Sequence, residues 1–471
     1  MSFHNVEYFL LLIFSASIYF ITPFRLRWLL LLIVSYFFYG YSQLDFIWLL
    51  LVSTFIDYSC GLSISKTKNK RQRRLFLIVS IITNLSILAY FKYRLLIDET
   101  LGYLLETSSF LSGPAANFIL PIGISFFTLQ SMGYTIDVYR GKKAAERHLG
   151  YFALYVAYFP QLIAGPIERA NKLLPQLKRY YNFDWERIRS GLILILVGLF
   201  KKLVIVGNLS PLMDTVYGNG DQYTWLEATA TAGLSMFYVY MDFSSYTDIA
   251  RGSARIYGVN LTENFNRPFS ALSVRDFWQR WHISLTRWIF DYLHQPLASL
   301  SENSYWRFYL TIITFTIVGL WHGAAFNFIL WGFVNGVFIV VEKLFYKQNL
   351  ILPKNRLWDN LRKLRTFCLV NLGAVIFLSP SVEHAGTVFL KIVSFQMDIS
   401  ISNYAMVFPL LIAGIASASW FFSRKLVDFQ KEKENWPFRN PIFRWACYLI
   451  IIIFIANFSA PDQNAFIYFQ F

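Results

Sequence analysis

The stretch "FYLTIITFTIVGLWHGAAFNFILWGFVNGVFIVV", residues 308–341, decides the class of fold. Two apolar runs flank ten residues, 319–328, at whose centre stands a histidine, His322. Apolar runs of roughly 17–25 residues, the length a helix needs to cross a bilayer, recur from one end of the 471-residue chain to the other. Composition agrees: 56% of the residues are hydrophobic and only 15% are charged, where soluble domains carry about 25% charge. No long polar segment remains to build a soluble domain. The expectation is an all-α polytopic membrane protein, residues 1–471 forming a single membrane-embedded domain.

The formal charge is +15, but it implies membrane topology, not a nucleic-acid partner. Its basic residues cluster in short loops between apolar runs, which is how cytoplasmic loops are marked. "PFRLR" (23–27), "KTKNKRQRR" (66–74), "RGKKAAERH" (140–148), and the stretches 342–365 and 424–444 are basic, whereas residues 203–250 contain no Lys or Arg. With basic loops inside, both termini lie outside and the chain crosses about twelve times. One apolar segment, "YFALYVAYFPQLIAGPIE" (151–168), has basic flanks on both sides. It is expected to be re-entrant, broken at Pro160 and at Gly165–Pro166, because irregular backbone at membrane depth needs protein or a water cavity around it. Cys60, Cys368 and Cys447 are far apart, so neither a disulfide framework nor a metal site is expected. The first Lys or Arg is Arg25, so the N-terminus reads as a membrane helix and not a cleaved signal.

Residues 249–307 read as a cytoplasmic segment with seven Arg and no Lys, thick with aromatic side chains. Arg is favoured where a guanidinium is packed or paired in fixed geometry, phosphate included. Two readings stand: an interfacial helix with snorkelling arginines, or a site for a phosphate-bearing donor. Taken as one helix, "VRDFWQRWHISLTRWIFDYL" puts His282 on the apolar half, and Arg280, Ser284, Arg287 and Asp291 on the opposite stripe.

His322 follows 14 apolar residues, about 21 Å of helix, short of a roughly 30 Å hydrocarbon core. That places it deep, where ionisable groups are costly and tend to face a cavity. Gly319 and Gly323 leave room for either a ligand or a neighbouring backbone. A catalytic histidine and a hydrogen-bonded structural one are both open on these grounds. His4, His148, His294 and His384 fall in loops or at ends and read as bland. Asp242 and Asp248, in "YMDFSSYTDIARG" (240–252), fit either an interfacial helix end paired with Arg or a support for the histidine cavity.

Seven motifs then occur together in order: "LPIGISFFTLQSMGYTIDVYRG" (120–141), "YFPQLIAGPIER" (158–169), "YMDFSSYTDIARG", "NFNRPF" (264–269), "DFWQRWHISLTRWI" (276–289), "GLWHGAAFNFILWG" (319–332) and the terminal "FIYFQF". In these the chain resembles the membrane-bound O-acyltransferases, specifically the bacterial branch of alginate and peptidoglycan O-acetyltransferases and the teichoic-acid D-alanyl transfer protein. Ser245 and Thr247 depart from a common DFSGYSD pattern. The resemblance implies about 11–13 transmembrane helices plus re-entrant segments around a central cavity, with the catalytic core roughly in 118–342 and C-terminal helices in 366–471. It implies that His322 is the catalytic histidine and His282 the second catalytic motif residue. Trp321, Asn327, Asp242, Asn266, Trp281 and Arg280 are the expected donor or acceptor cavity residues, with Trp321 or Asn327 as a donor to an oxyanion.

The implied activity is acetyl transfer from a cytoplasmic thioester, acetyl-CoA, across the bacterial inner membrane, with no bound cofactor and no nucleic acid. The acceptor would be an alginate-like exopolysaccharide or peptidoglycan, reached directly or through a periplasmic SGNH-type acetyltransferase partner. D-alanyl transfer, and a transporter or flippase of an acylated intermediate, are the alternatives; the chain shows no correspondence between halves of the kind inverted-repeat transporters carry.

Overall fold

The computed structural model describes residues 3, 5–94, 96–98, 100, 120–163, 165–218, 223–347, 355–396, 440–460 and 466. The described residues are helical, with no strand among them. Five helical stretches among them are long and apolar enough to cross a membrane: Phe24–Lys66, Lys70–Lys92, Trp185–Tyr217, Phe326–Phe345 and Pro441–Phe458. The protein is thus all-α and multi-pass. Part of the expected C-terminal helices, residues 397–439, and all of "FIYFQF" but Phe466 lie outside the described residues. The chain divides into two compact units, residues 1–192 with 250–262, and residues 193–249 with 263–471.

In the first unit, helices Ile47–Lys66, Lys70–Lys92 and Ile124–Tyr139 pack around a buried carboxylate, Asp57. Ser80, Thr135 and the Asn84 amide all donate to it. Such satisfaction is what a buried carboxylate requires. The segment expected to be broken is broken: helix Leu149–Ala157 stops, a short turn Phe159–Leu162 follows with Pro160 near its start, and the chain leaves helical geometry after it. Residues 152–163 are buried throughout, so this irregular backbone is enclosed by protein, as irregular backbone within a membrane must be.

In the second unit, the helix entering at residue 193 widens into a π-helical turn, Phe200–Val206, before continuing as Gly207–Tyr217. Two consecutive buried lysines lie in that turn. Lys202 pairs with Asp242 at 2.7 Å, and Lys201 with Asp248 at 2.7 Å. These lysine partners lie some 40 residues upstream of the aspartates.

Helices Ser304–His322 and Phe326–Lys347 form a hairpin whose turn is residues 323–325. Its glycines settle what the space beside His322 is for. A Cβ on Gly319 would stand 2.1 Å from the Phe328 carbonyl oxygen, and one on Gly332 would stand 2.2 Å from that of Phe315. At Gly319 the space is filled by the facing backbone, the close approach that small residues allow between membrane helices, and at Gly323 by the Phe328 ring, 2.1 Å from where a Cβ would stand.

Candidate active site

The local sequence from 274 to 293 reads as one helix, and the structure corrects this. Helix Val274–Arg280 ends, Trp281 is extended, and His282 adopts the left-handed conformation (φ 42°) before a second helix, Ile283–Ile289. A non-glycine residue at positive φ persists only where its surroundings over-determine it. Here they do. Ser273 caps the first helix by accepting the Asp276 N–H, and Glu342 accepts the Val274 N–H at 2.8 Å. On one side of the break the Asn266 N–H donates to the Arg280 carbonyl, and on the other the Ile283 N–H donates to that of Asn264. The Asn264 side chain also accepts the Ser284 N–H at 3.2 Å, and the Thr286 hydroxyl reaches the Trp278 and Trp281 carbonyls at 3.1 Å each. The Trp278, Arg280 and Trp281 carbonyls and the Ile283 and Ser284 N–H, freed by the break, are thus paired, as buried backbone groups must be. The "NFNRPF" motif supplies the partner in three of these five bonds at the break.

His282, 2% exposed, is directed by the break against the edge of Phe243, with ring centroids 4.7 Å apart. His322, 5% exposed, is the last residue of its helix and is boxed by Trp331 at 5.3 Å and Phe377 at 5.4 Å. Trp321 stands between the two imidazoles, 6.3 Å from His282 and 4.9 Å from His322. Both histidines line one cavity of about 570 Å³ in the second unit. That is the size of a small-molecule site, which falls in the range of roughly 300–1,000 Å³.

The cavity has two unlike ends. It follows the Ser304–His322 helix from Arg307 to His322, fifteen residues, or about 22 Å at 1.5 Å per residue. Because the two hairpin helices run antiparallel, Lys343 lies beside the start of the first one, its ammonium 5.0 Å from the Phe308 ring. Arg307 and Lys343 thus mark one end and His322 with Trp331 the other. Arg275 and Arg287 add positive charge to the lining, while Leu285, Ile289, Phe315 and Val318 make much of the wall apolar.

Of the other residues expected at the site, Trp281 lines the cavity, whereas Trp321 packs against both imidazoles without being among the lining residues. Arg280 instead pairs with Asp276 at 2.7 Å. Asn266 acts through its backbone at the break. Asp242 is committed to Lys202, and Asn327 donates its amide to the Ser379 carbonyl at 2.8 Å. Several residues at the cavity were not foreseen. His294, read as bland, lines the wall, and its position at the end of a π-helical turn, Phe290–His294, has no local sequence signal. Lys343 reads only as part of a basic loop, whereas Arg307 is one of the seven arginines for which a phosphate-bearing donor was one reading. Phe377, against His322, comes from a C-terminal helix, Arg356–Leu378, that no local pattern ties to the site.

A helical hairpin, two buried histidines and a cavity with a charged end thus come together within one unit of a membrane protein. Known proteins agree: the MBOAT, membrane-bound O-acyltransferase family, matches residues 31–349. The chain belongs to that family and is an acyltransferase. It is 32% identical to a probable alginate O-acetylase of Azotobacter vinelandii, over 99% of both chains. To the peptidoglycan O-acetyltransferase of Helicobacter pylori it is 31% identical, over 94% of this chain and 91% of that one. The teichoic acid D-alanyltransferase of Bacillus subtilis is 27% identical, over 58% of this chain and 72% of that one.

Proposed function

We propose that this protein moves an acetyl group from cytoplasmic acetyl-CoA, through the membrane, to O-acetylate an extracytoplasmic polysaccharide of the alginate or peptidoglycan kind. The polarity of the cavity carries this reading: Arg307 and Lys343 at one end, His322 about 22 Å away along the helix, His282 also in the lining, and apolar side chains in the wall. A donor with a phosphate-bearing head and a long thioester arm matches that order of chemistry. The basic end would be the cytoplasmic one, since the arginine-rich segment supplies it. Delivery to the polymer is direct or through a periplasmic SGNH-type partner.

In the reaction, the neutral imidazole of His322 takes the proton of an acceptor hydroxyl as that oxygen bonds to the thioester carbonyl carbon. The tetrahedral intermediate collapses, the C–S bond breaks, and His322 returns the proton to the leaving thiolate. Trp321 packs against both imidazoles, and the Asn327 amide, engaged with Ser379, is already spent as a donor. His282 orients the reactants from the opposite wall.

The relatives that match over nearly the whole chain are named for O-acetylation, which supports acetyl over D-alanyl transfer. A transport role would use the same spans but has no need of a polarised cavity ending on His322. The test is genetic: cells carrying His322→Ala at normal abundance should lose ester-linked acetate from their envelope polymer, by about 10²–10⁴ in transfer rate. Normal acetate content would overturn the mechanism.

A further inference from the structure

The cavity has a polar station halfway along its length that acyl transfer itself does not explain. His294 lines it from the π-helical turn, Thr314 from the hairpin helix, and the two side chains meet at 3.1 Å, Nδ1 to Oγ1. Thr314 is 5% exposed. The His294 ring is held in place by stacking on Phe290, with centroids 5.8 Å apart and planes at 20°. Along the helix Thr314 is seven residues from Arg307 and eight from His322, so about 10 Å from the basic end and about 12 Å from the catalytic one. Phe315 and Val318 flank it on the same wall.

A merely greasy tunnel would accept any acyl chain with an anionic head. A hydrogen-bonding pair at the midpoint selects for a polar group at the midpoint of the ligand, since leaving buried polar groups without ligand partners costs more than the bond is worth. A pantetheine arm has that feature: its two amides lie between the phosphate and the sulfur. We propose that the His294–Thr314 pair holds an amide of the donor's pantetheine arm and so selects donors that carry such an arm. This rests on the thioester-donor reading above. The arm is common to CoA and to acyl carrier proteins, and the probes below separate the two.

The experiment is equilibrium binding to the full-length protein in detergent, with three probes: CoA, pantetheine alone, and adenosine 3′,5′-bisphosphate, which has the phosphates without the arm. His294→Phe keeps the stacking ring and removes the nitrogens; Thr314→Val keeps the shape and removes the hydroxyl. Each should weaken CoA and pantetheine by about fivefold to tenfold and leave adenosine 3′,5′-bisphosphate within about twofold. His294→Asn, which restores an amide near Nδ1, should recover most of the CoA affinity. Equal weakening of all three probes would mean that the pair only shapes the cavity, and unchanged CoA binding would mean that it touches no arm; either overturns the inference. Wild-type protein that binds pantetheine but not CoA, with pantetheine binding weakened in both variants, would assign a carrier-borne arm, uphold the pair's role and remove CoA as donor. Wild-type protein that binds none of the three would overturn both the donor reading and this inference.

Discussion

The two motif histidines face one cavity but are held by opposite devices. His322 ends a helix clamped to its neighbour backbone to backbone through Gly319 and Gly332. His282 occupies a left-handed break between two seven-residue helices, and the non-helical segment around Asn264 ties that break down. The first device is local and steric. The second is long-range and made of hydrogen bonds. Precision at a catalytic site needs both kinds of support, because a histidine displaced by an ångström costs much of the rate.

That contrast can be broken from either side, and the steric side should break harder. Gly319→Val forces side-chain atoms into the Phe328 carbonyl, which is backbone and cannot rotate away. The hairpin must open, at a cost on the order of 1–3 kcal/mol or more. The expected outcome is a lower unfolding temperature in detergent and loss of activity together; a variant with wild-type melting would show that the hairpin is not clamped. Asn264→Ala removes the acceptor for the Ser284 N–H and should cost about 1 kcal/mol, with activity falling more than stability because His282 is what moves. Asn264→Asp retains an acceptor and should recover most of that activity. If Asn264→Ala is as active as wild type, the break is set by something else.

Legibility followed the same division. The apolar runs, the basic loops and the motifs were enough for an all-α multi-pass acyltransferase, and the broken segment at 151–168 was visible from Pro160 and Gly165. His322 stood out because a titratable residue in an apolar run is costly. The break at His282 was hidden. Neither Gly nor Pro marks Trp281 or His282, and the helical period runs through them without a gap, so local pattern favours a continuous helix. The partners that make the break affordable lie at Asn264 and Asn266, outside the window any periodicity analysis uses. Lys201 and Lys202 were likewise illegible as partners of Asp248 and Asp242, since a π-helical turn presents them. His294 was discounted for its place near a helix end, yet that turn carries it to the cavity wall.

The central claim is that one polarised cavity binds the donor at its basic end and spends it at His322. Donor affinity and acetyl transfer, measured on the same preparation of His322→Ala, test it most directly. The account predicts CoA affinity within about twofold of wild type and transfer lower by about 10²–10⁴. Transfer at the wild-type rate, or affinity and transfer lost in equal measure, would contradict it.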